Sequence, residues 1–305
     1  MSVPPDVSIV VELDNLRLGG AERARRMVQR LTTDLEQVES RVELVVAFDE
    51  DDVGADEARA LFGAVDVRLV SARGMSYYRL KNLAAEQASG DLLVFVDSDV
   101  IPEPGWLPEL LRSFDDADVK VVGGNAYIEP AGIWGKTFAL AWFFPLRAHE
   151  PALVRRETFF ANNVAFRREV FERFPFPEAP GTARGACVRL GWSLRDHGIA
   201  IYRNESAQVS HPAPAGPRRA LVRALAQGRD RAALSRDSQG REHLFPPRLA
   251  RRVARSLVLE RRRVGLSLAE LPVAAAIAGL YYAVAVGAAC ATVVRPRFME
   301  QRFRL

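Results

Sequence analysis

The chain is poor in the residues that would make it a disulfide scaffold or a zinc protein. It has two cysteines in 305 residues, Cys187 and Cys290, far apart and at no metal-ligand spacing. No internal repeat or low-complexity tract is present outside one arginine-rich segment. Met1–Asp6 has no basic region followed by an apolar run, so a cytosolic start is expected rather than a signal peptide. The basic stretches lack interleaved aromatics and any nucleic-acid motif, which argues against nucleic acid as a partner. Leu16–Glu22 contains Gly19-Gly20 but not a glycine-rich phosphate loop, which disfavours a nucleotidyltransferase.

A length of 305 residues suits one large domain, or one domain plus an appendage, and the 49% of hydrophobic residues is enough for a sizeable core. The net charge of +4 is unevenly spread. Pro217–Arg263 holds a local excess of roughly +10, so the part before it is net acidic. An uncharged stretch, Leu271–Val294, follows the basic block and is long enough to cross a bilayer as a helix. Arg261–Arg263 on one side, with Arg295 and Arg297 on the other, fit an anionic membrane surface, and the longer cluster is expected in the cytoplasm. An alanine-rich core helix is the competing reading.

Short β-branched runs alternate with helical patterns over the first hundred residues: strands at Val7–Val11, Arg41–Phe48, Val65–Val70 and Leu92–Val96, helices at Gly19–Leu31, Asp56–Phe62 and Tyr77–Ala88. That order predicts βαβ units and a mostly parallel sheet. Ligands of such sheets lie beyond the carboxyl ends of the strands. Glu12, Asp49 and Asp97 each follow directly on a strand and should gather at that edge. The fourth strand ends in Asp97-Ser98-Asp99. Two carboxylates two residues apart on a strand share a face and repel unless a cation lies between them, which suits Mg²⁺ or Mn²⁺ completed by phosphate oxygens. Further on, Trp106–Phe114 predicts a helix and Val119–Val122 a strand, with late strands at Ile199–Tyr202 and Ala207–Ser210. Gly132–Leu146 is either a core helix or an apolar wall facing a lipid-linked acceptor.

The order of these motifs resembles the family 2 glycosyltransferases, which have the GT-A fold, from Val7 to about His211. Val7–Asn15 is similar to the opening strand and nucleotide-contacting loop, and Glu43–Asp52 to the second strand with its base-contacting acid, here Asp49. Lys81-Asn82 stands at the family's Arg-Asn position, and Ala88–Asp91 closes that segment. Asp97-Ser98-Asp99 matches the Asp-x-Asp motif, Phe159–Phe166 the acceptor-side segment, and Val209-Ser210-His211 the late metal-site histidine. The resemblance implies a Rossmann-like α/β domain over 1–215, followed by an Arg-rich helical segment over 216–265 and an apolar membrane-associated or transmembrane helix with a short basic tail over 266–305. It implies a nucleotide-sugar donor held by Glu12, Asn15, Asp49, Lys81, Asp97 and Asp99. The metal would be held by Asp97, Asp99 and His211, and the sugar transferred with inversion to a lipid-linked, saccharide or other hydroxyl acceptor. The expected location is the cytoplasmic face of the membrane, or else the cytoplasm.

One departure stands out. Inverting members place a Glu-Asp pair before the helix around Leu190–Gly198, and the corresponding residues here are Ala186 and Cys187. Glu178, Asp196 and His197 are the remaining candidates for a base. Alternatively the acceptor is already ionised, or the chain binds a nucleotide sugar or a partner without turnover.

Overall fold

The computed structural model describes residues 5–178, 185–237 and 248–295. It opens with β1 (Val7–Glu12), α1 (Leu16–Gly19), α2 (Ala21–Leu35), β2 (Val42–Asp49), α3 (Ala55–Phe62), β3 (Arg68–Ala72), α4 (Tyr77–Gln87) and β4 (Leu92–Asp97). Next come β5 (Ile101–Pro102), α5 (Trp106–Arg112), β6 (Val121–Ile128), α6 (Gly132–Ala141), β7 (Leu153–Arg156), β8 (Asn163–Arg167), α7 (Arg168–Arg173), α8 (Ala186–Asp196) and β9 (Ile201–His211). The chain continues through α9 (Pro217–Asp237), α10 (Leu249–Leu259), a 3-10 turn (Arg261–Val264) and α11 (Leu271–Val294).

The strands form one sheet in the order β3-β2-β1-β4-β8-β6-β9-β5, with β7 paired to β9. Strands β3, β2, β1 and β4 run parallel, as the strand–helix alternation predicts, and β8 lies antiparallel to β4. All six residues of β1 are buried, as expected for a central strand covered on both faces. α2 packs through Ala24, Met27, Val28 and Leu31, a single stripe at helical spacing. The two late strands expected from the sequence are one strand of eleven residues, because Arg203–Ser206 continues the extended backbone despite its polar side chains. β5 and β7 are too short to leave a periodic signal.

The described residues divide into two compact units. The first comprises 5–126, 147–178 and 186–211 and contains nearly all of the sheet; the second comprises 127–146, 185, 212–237 and 248–295. In the second, α6 is a core helix: Phe138 meets Tyr281 of α11 edge to face at 5.0 Å, and the Tyr282 hydroxyl donates to the Ala141 carbonyl at 2.6 Å. α9 lies against α11 so closely that a Cβ built on Gly228 would stand 2.2 Å from the Ala285 carbonyl oxygen. Only glycine fits there. α11 is long and apolar enough, by length and composition, to cross a membrane.

Candidate functional site

The strand register brings three of the expected acids to one edge of the first unit. Glu12 lies opposite Asp97 across the β1–β4 pair and opposite Ala47 across the β1–β2 pair, with Asp49 two residues beyond. What these carboxylates do there differs from residue to residue.

Asp97 closes β4 and is turned into the protein. Its carboxylate forms an ion pair with Lys81 at 2.7 Å, accepts from the Tyr77 hydroxyl at 2.8 and 2.9 Å, and accepts from Asn15 Nδ2 at 2.9 Å. Asn15 also donates to Glu12 through Nδ2 at 2.8 Å and through its backbone N–H at 3.2 Å. Glu12, Asn15, Lys81 and Asp97 are all buried. This network ties the loop after β1 and helix α4 to the end of β4. Lys81 is thus engaged with a carboxylate within the protein, where the sequence suggested a charge beside the nucleotide. Asp49 plays a comparable part at the end of β2: its Oδ2 accepts from the Met75 N–H at 2.7 Å and its Oδ1 from the Asp51 N–H at 3.0 Å, fixing the loops that follow β2 and β3.

Asp99 has a separate setting. Alternation along a strand would point Asp97 and Asp99 the same way, but β4 ends at Asp97 and Asp99 belongs to the turn before β5. That turn is held from two sides. Gly19 packs on it so closely that a Cβ there would stand 2.5 Å from the Asp99 Cβ. From α2, the Arg23 guanidinium donates to the Asp99 carbonyl, to the Ser210 carbonyl at 2.9 Å and to the Ser210 hydroxyl at 3.3 Å. The same juxtaposition appears in the strand pairing, where Ile101 lies opposite Ser210. Arg23 thus joins the Asp99 turn to Ser210, the residue before half-buried His211. Arg23 was missed in the sequence because α2 is rich in arginine and nothing in its spacing marks this one. Downstream, buried Asp34 accepts from the backbone N–H groups of Gly105 and Leu107 at 3.0 and 2.8 Å, anchoring the start of α5.

Among the described residues, no three His, Cys, Asp or Glu side chains converge into a metal-holding group. The structure thus does not gather Asp97 with Asp99 and His211. Of the three expected ligands, Asp99 stands in this turn and His211 follows Ser210 on the strand paired beside it. Such a sparse set fits Mg²⁺ or Mn²⁺, which keep part of their shell for substrate phosphates and water.

The candidate bases are dispersed. Asp196 and His197 are exposed at the C-terminal end of α8, roughly 15 Å along the helix from Ala186. His197 Nδ1 lies 2.8 Å from the Ser193 carbonyl, and its ring packs on Phe174. Glu178 forms an exposed ion pair with Arg79 at 2.8 Å. On another face of α4, the Tyr78 hydroxyl donates to the Cys187 sulfur at 3.6 Å. Burial pushes the Cys187 thiol above the usual thiol range, against the hydrogen bond from Tyr78, and leaves it protonated.

Residues 23–174 match the family model described as glycosyl transferase family 2. The chain carries a family 2 glycosyltransferase domain. It is 24% identical over 210 residues to the glucosyl-dolichyl phosphate glucuronosyltransferase of Haloferax volcanii, an alignment covering 62% of this chain and 65% of that protein. It is 30% identical over 166 residues to the O-antigen biosynthesis protein RfbC of Myxococcus xanthus, covering 48% of this chain and 13% of that one. The chain thus spans less than two thirds of either relative. Among solved structures, the mannosyltransferase PcManGT from Pyrobaculum calidifontis, in complex with GDP-Man and Mn²⁺, superposes with a TM-score of 0.56 at 18% identity, covering 97% of this chain and 89% of that one. GalNAc-T7 with UDP, GalNAc and Mn²⁺ superposes with a TM-score of 0.52 at 16% identity, covering 68% and 43%. These likenesses show the GT-A fold for this family 2 domain.

Proposed function

We propose that the chain transfers a sugar from a nucleotide-diphosphate donor to a lipid-linked, saccharide or other hydroxyl acceptor, with inversion, at the cytoplasmic face of a membrane. The Arg23 clamp carries this reading. One guanidinium holds the Asp99 turn against the strand end that bears His211, at the edge where β1, β2 and β4 deliver their loops. Asp99 and His211 would hold Mg²⁺ or Mn²⁺ there. A bound divalent ion neutralises the charge that develops on the departing diphosphate. The network of Glu12, Asn15, Lys81 and Asp97 keeps the surrounding loops in place, so little reorganisation is needed when the donor binds.

Of the three candidate bases we assign the acceptor proton to Glu178, the carboxylate that precedes α8 in the chain. The glucuronosyltransferase relative, named for a dolichyl phosphate substrate, and the apolar helix α11 favour a lipid-linked acceptor at a membrane.

A thermal-shift panel of nucleotide sugars, with and without Mn²⁺, tests the donor side. A metal-dependent rise in Tm that Asp99→Ala abolishes is expected, since a ligand bound only by the native state stabilises it. Glu178→Gln should keep that rise and lose labelled-sugar transfer. Absence of both binding and transfer with every nucleotide sugar would overturn the reading.

A further inference from the structure

α11 reverses the usual polarity of a surface helix. Its polar side chains face protein: Tyr281 and Thr292 are buried, and Tyr282 is bonded to the Ala141 carbonyl. Its outer face carries only apolar side chains and a thiol, in a strip that runs from Val273 through Ala276, Leu280, Ala283 and Cys290 to Val294. Leu280 is 69% exposed and Val294 75%. A strip of this length is not left to water in a soluble protein. Beside it, α10 exposes Val258 and Leu259 and the loop before α11 exposes Leu268, among the exposed cations Arg255, Arg262 and Arg263. Apolar side chains rimmed by arginine complement the acyl chains and anionic headgroups of a bilayer.

We propose that α11 lies in the plane of an anionic bilayer, its strip sunk into the headgroup–acyl boundary, and does not cross it. The proposal rests on the membrane part of the functional reading above and adds the orientation. Helix α9 decides it. Gln227 accepts from the Tyr281 hydroxyl at 2.7 Å, and Gly228 packs on Ala285 and Ala288, all near the middle of α11. The next residues of α9 are the buried Arg229–Asp230 pair and half-buried Arg231. A spanning α11 would carry this polar stretch to the hydrocarbon centre, where charged side chains are strongly disfavoured. In the plane, the same stretch stays on the protein side while the strip faces lipid.

The test uses the full chain with an environment-sensitive maleimide dye on single exposed cysteines. The sites are native Cys290, and Ala276→Cys or Ala283→Cys combined with Cys290→Ser; these positions span roughly 21 Å of helix. Vesicles of phosphatidylcholine, with and without phosphatidylglycerol, carry nitroxide quenchers at shallow or deep acyl positions. The expected result is equal depth at all three sites, with the shallow quencher several-fold more effective throughout. Binding should require the anionic lipid and weaken severalfold in Arg262→Gln/Arg263→Gln. Depths that differ along the helix and are greatest at Ala283→Cys would overturn the in-plane orientation while keeping membrane association. Dyes that stay aqueous on a chain that never floats with vesicles would overturn both. Cys290–Cys290 cross-linking without lipid would assign the strip to a second copy and overturn the proposal.

Discussion

Lys81 and Asp97 form an ion pair buried from water, Nζ to Oδ1 at 2.7 Å, with Lys81 wholly inaccessible. The lysine also sits 4.9 Å from the centre of the Tyr77 ring, whose hydroxyl donates to the same carboxylate. Through Asn15 the network reaches a second buried carboxylate, Glu12. Lys81 therefore offsets the Asp97 charge directly, and Asn15 ties Glu12 into the same network.

Removing that cation should be costly. Lys81→Met is expected to lower stability by about 3–5 kcal/mol, the usual consequence of stripping one partner from a buried pair. Adding Asp97→Asn to Lys81→Met should restore part of the loss, because the uncompensated charge goes with it. Urea denaturation of the single and double variants measures the coupling. Additive losses would show that the pair contributes no mutual stabilisation.

The two thiols should differ in reactivity. Cys290 is exposed on α11, whereas burial raises the Cys187 pKa and withholds the thiolate, which is the form that reacts. At mildly alkaline pH in lipid-free buffer, iodoacetamide should modify Cys290 rapidly and half-buried Cys187 many-fold more slowly until the chain is unfolded. Peptide mass analysis over time separates them. Fast modification of native Cys187 would reopen it as a thiolate base.

Much of the first unit was legible because its signals are local. Apolar runs of strand length, each ending in an acid, identify β1, β2 and β4, and their parallel order follows from the helices between them. The roles of those acids were less legible. Whether a carboxylate at a strand end faces a ligand or a lysine depends on α4 packing beside it, and sequence spacing carries no record of that contact. Arg23 shows the same limit: its partners are backbone carbonyls at Asp99 and Ser210, and any residue type supplies a carbonyl. In the second unit, composition left Leu271–Val294 as either a membrane helix or a core helix, and the face it turns to the protein depends on Gln227 and Gly228 of a different helix.

Glu270 makes the start of α11 sensitive to acid. Hydrogen bonds from Lys136 first, then from the backbone and hydroxyl of Ser267, hold its carboxyl down at about 2. A carboxylate whose pKa falls on folding stabilises the native state above its unfolded pKa. That contribution is lost as pH drops through the ordinary carboxylate range toward 2. The Tm gap between the native sequence and Glu270→Gln should therefore be full above roughly pH 5 and shrink progressively below it. A gap that is constant with pH would mean that ionisation of Glu270 plays no part.

Gly19 offers a steric test of the Asp99 turn that removes no functional group. Its backbone is not in the left-handed region, so alanine is conformationally acceptable, but the new Cβ would stand 2.5 Å from the Asp99 Cβ. The turn must move by a substantial fraction of an ångström, whereas the fold, held by the sheet and the Lys81–Asp97 network, need not. Displacements of about 1 Å at a reacting centre cost up to about a hundredfold in rate. Gly19→Ala should therefore lower kcat/KM for sugar transfer by about tenfold or more with little change in Tm. Arg23→Met should act in the same direction by releasing the turn from Ser210. Full activity in Gly19→Ala would place the reacting diphosphate away from Asp99, since a turn that shifts without consequence cannot be the one that holds it.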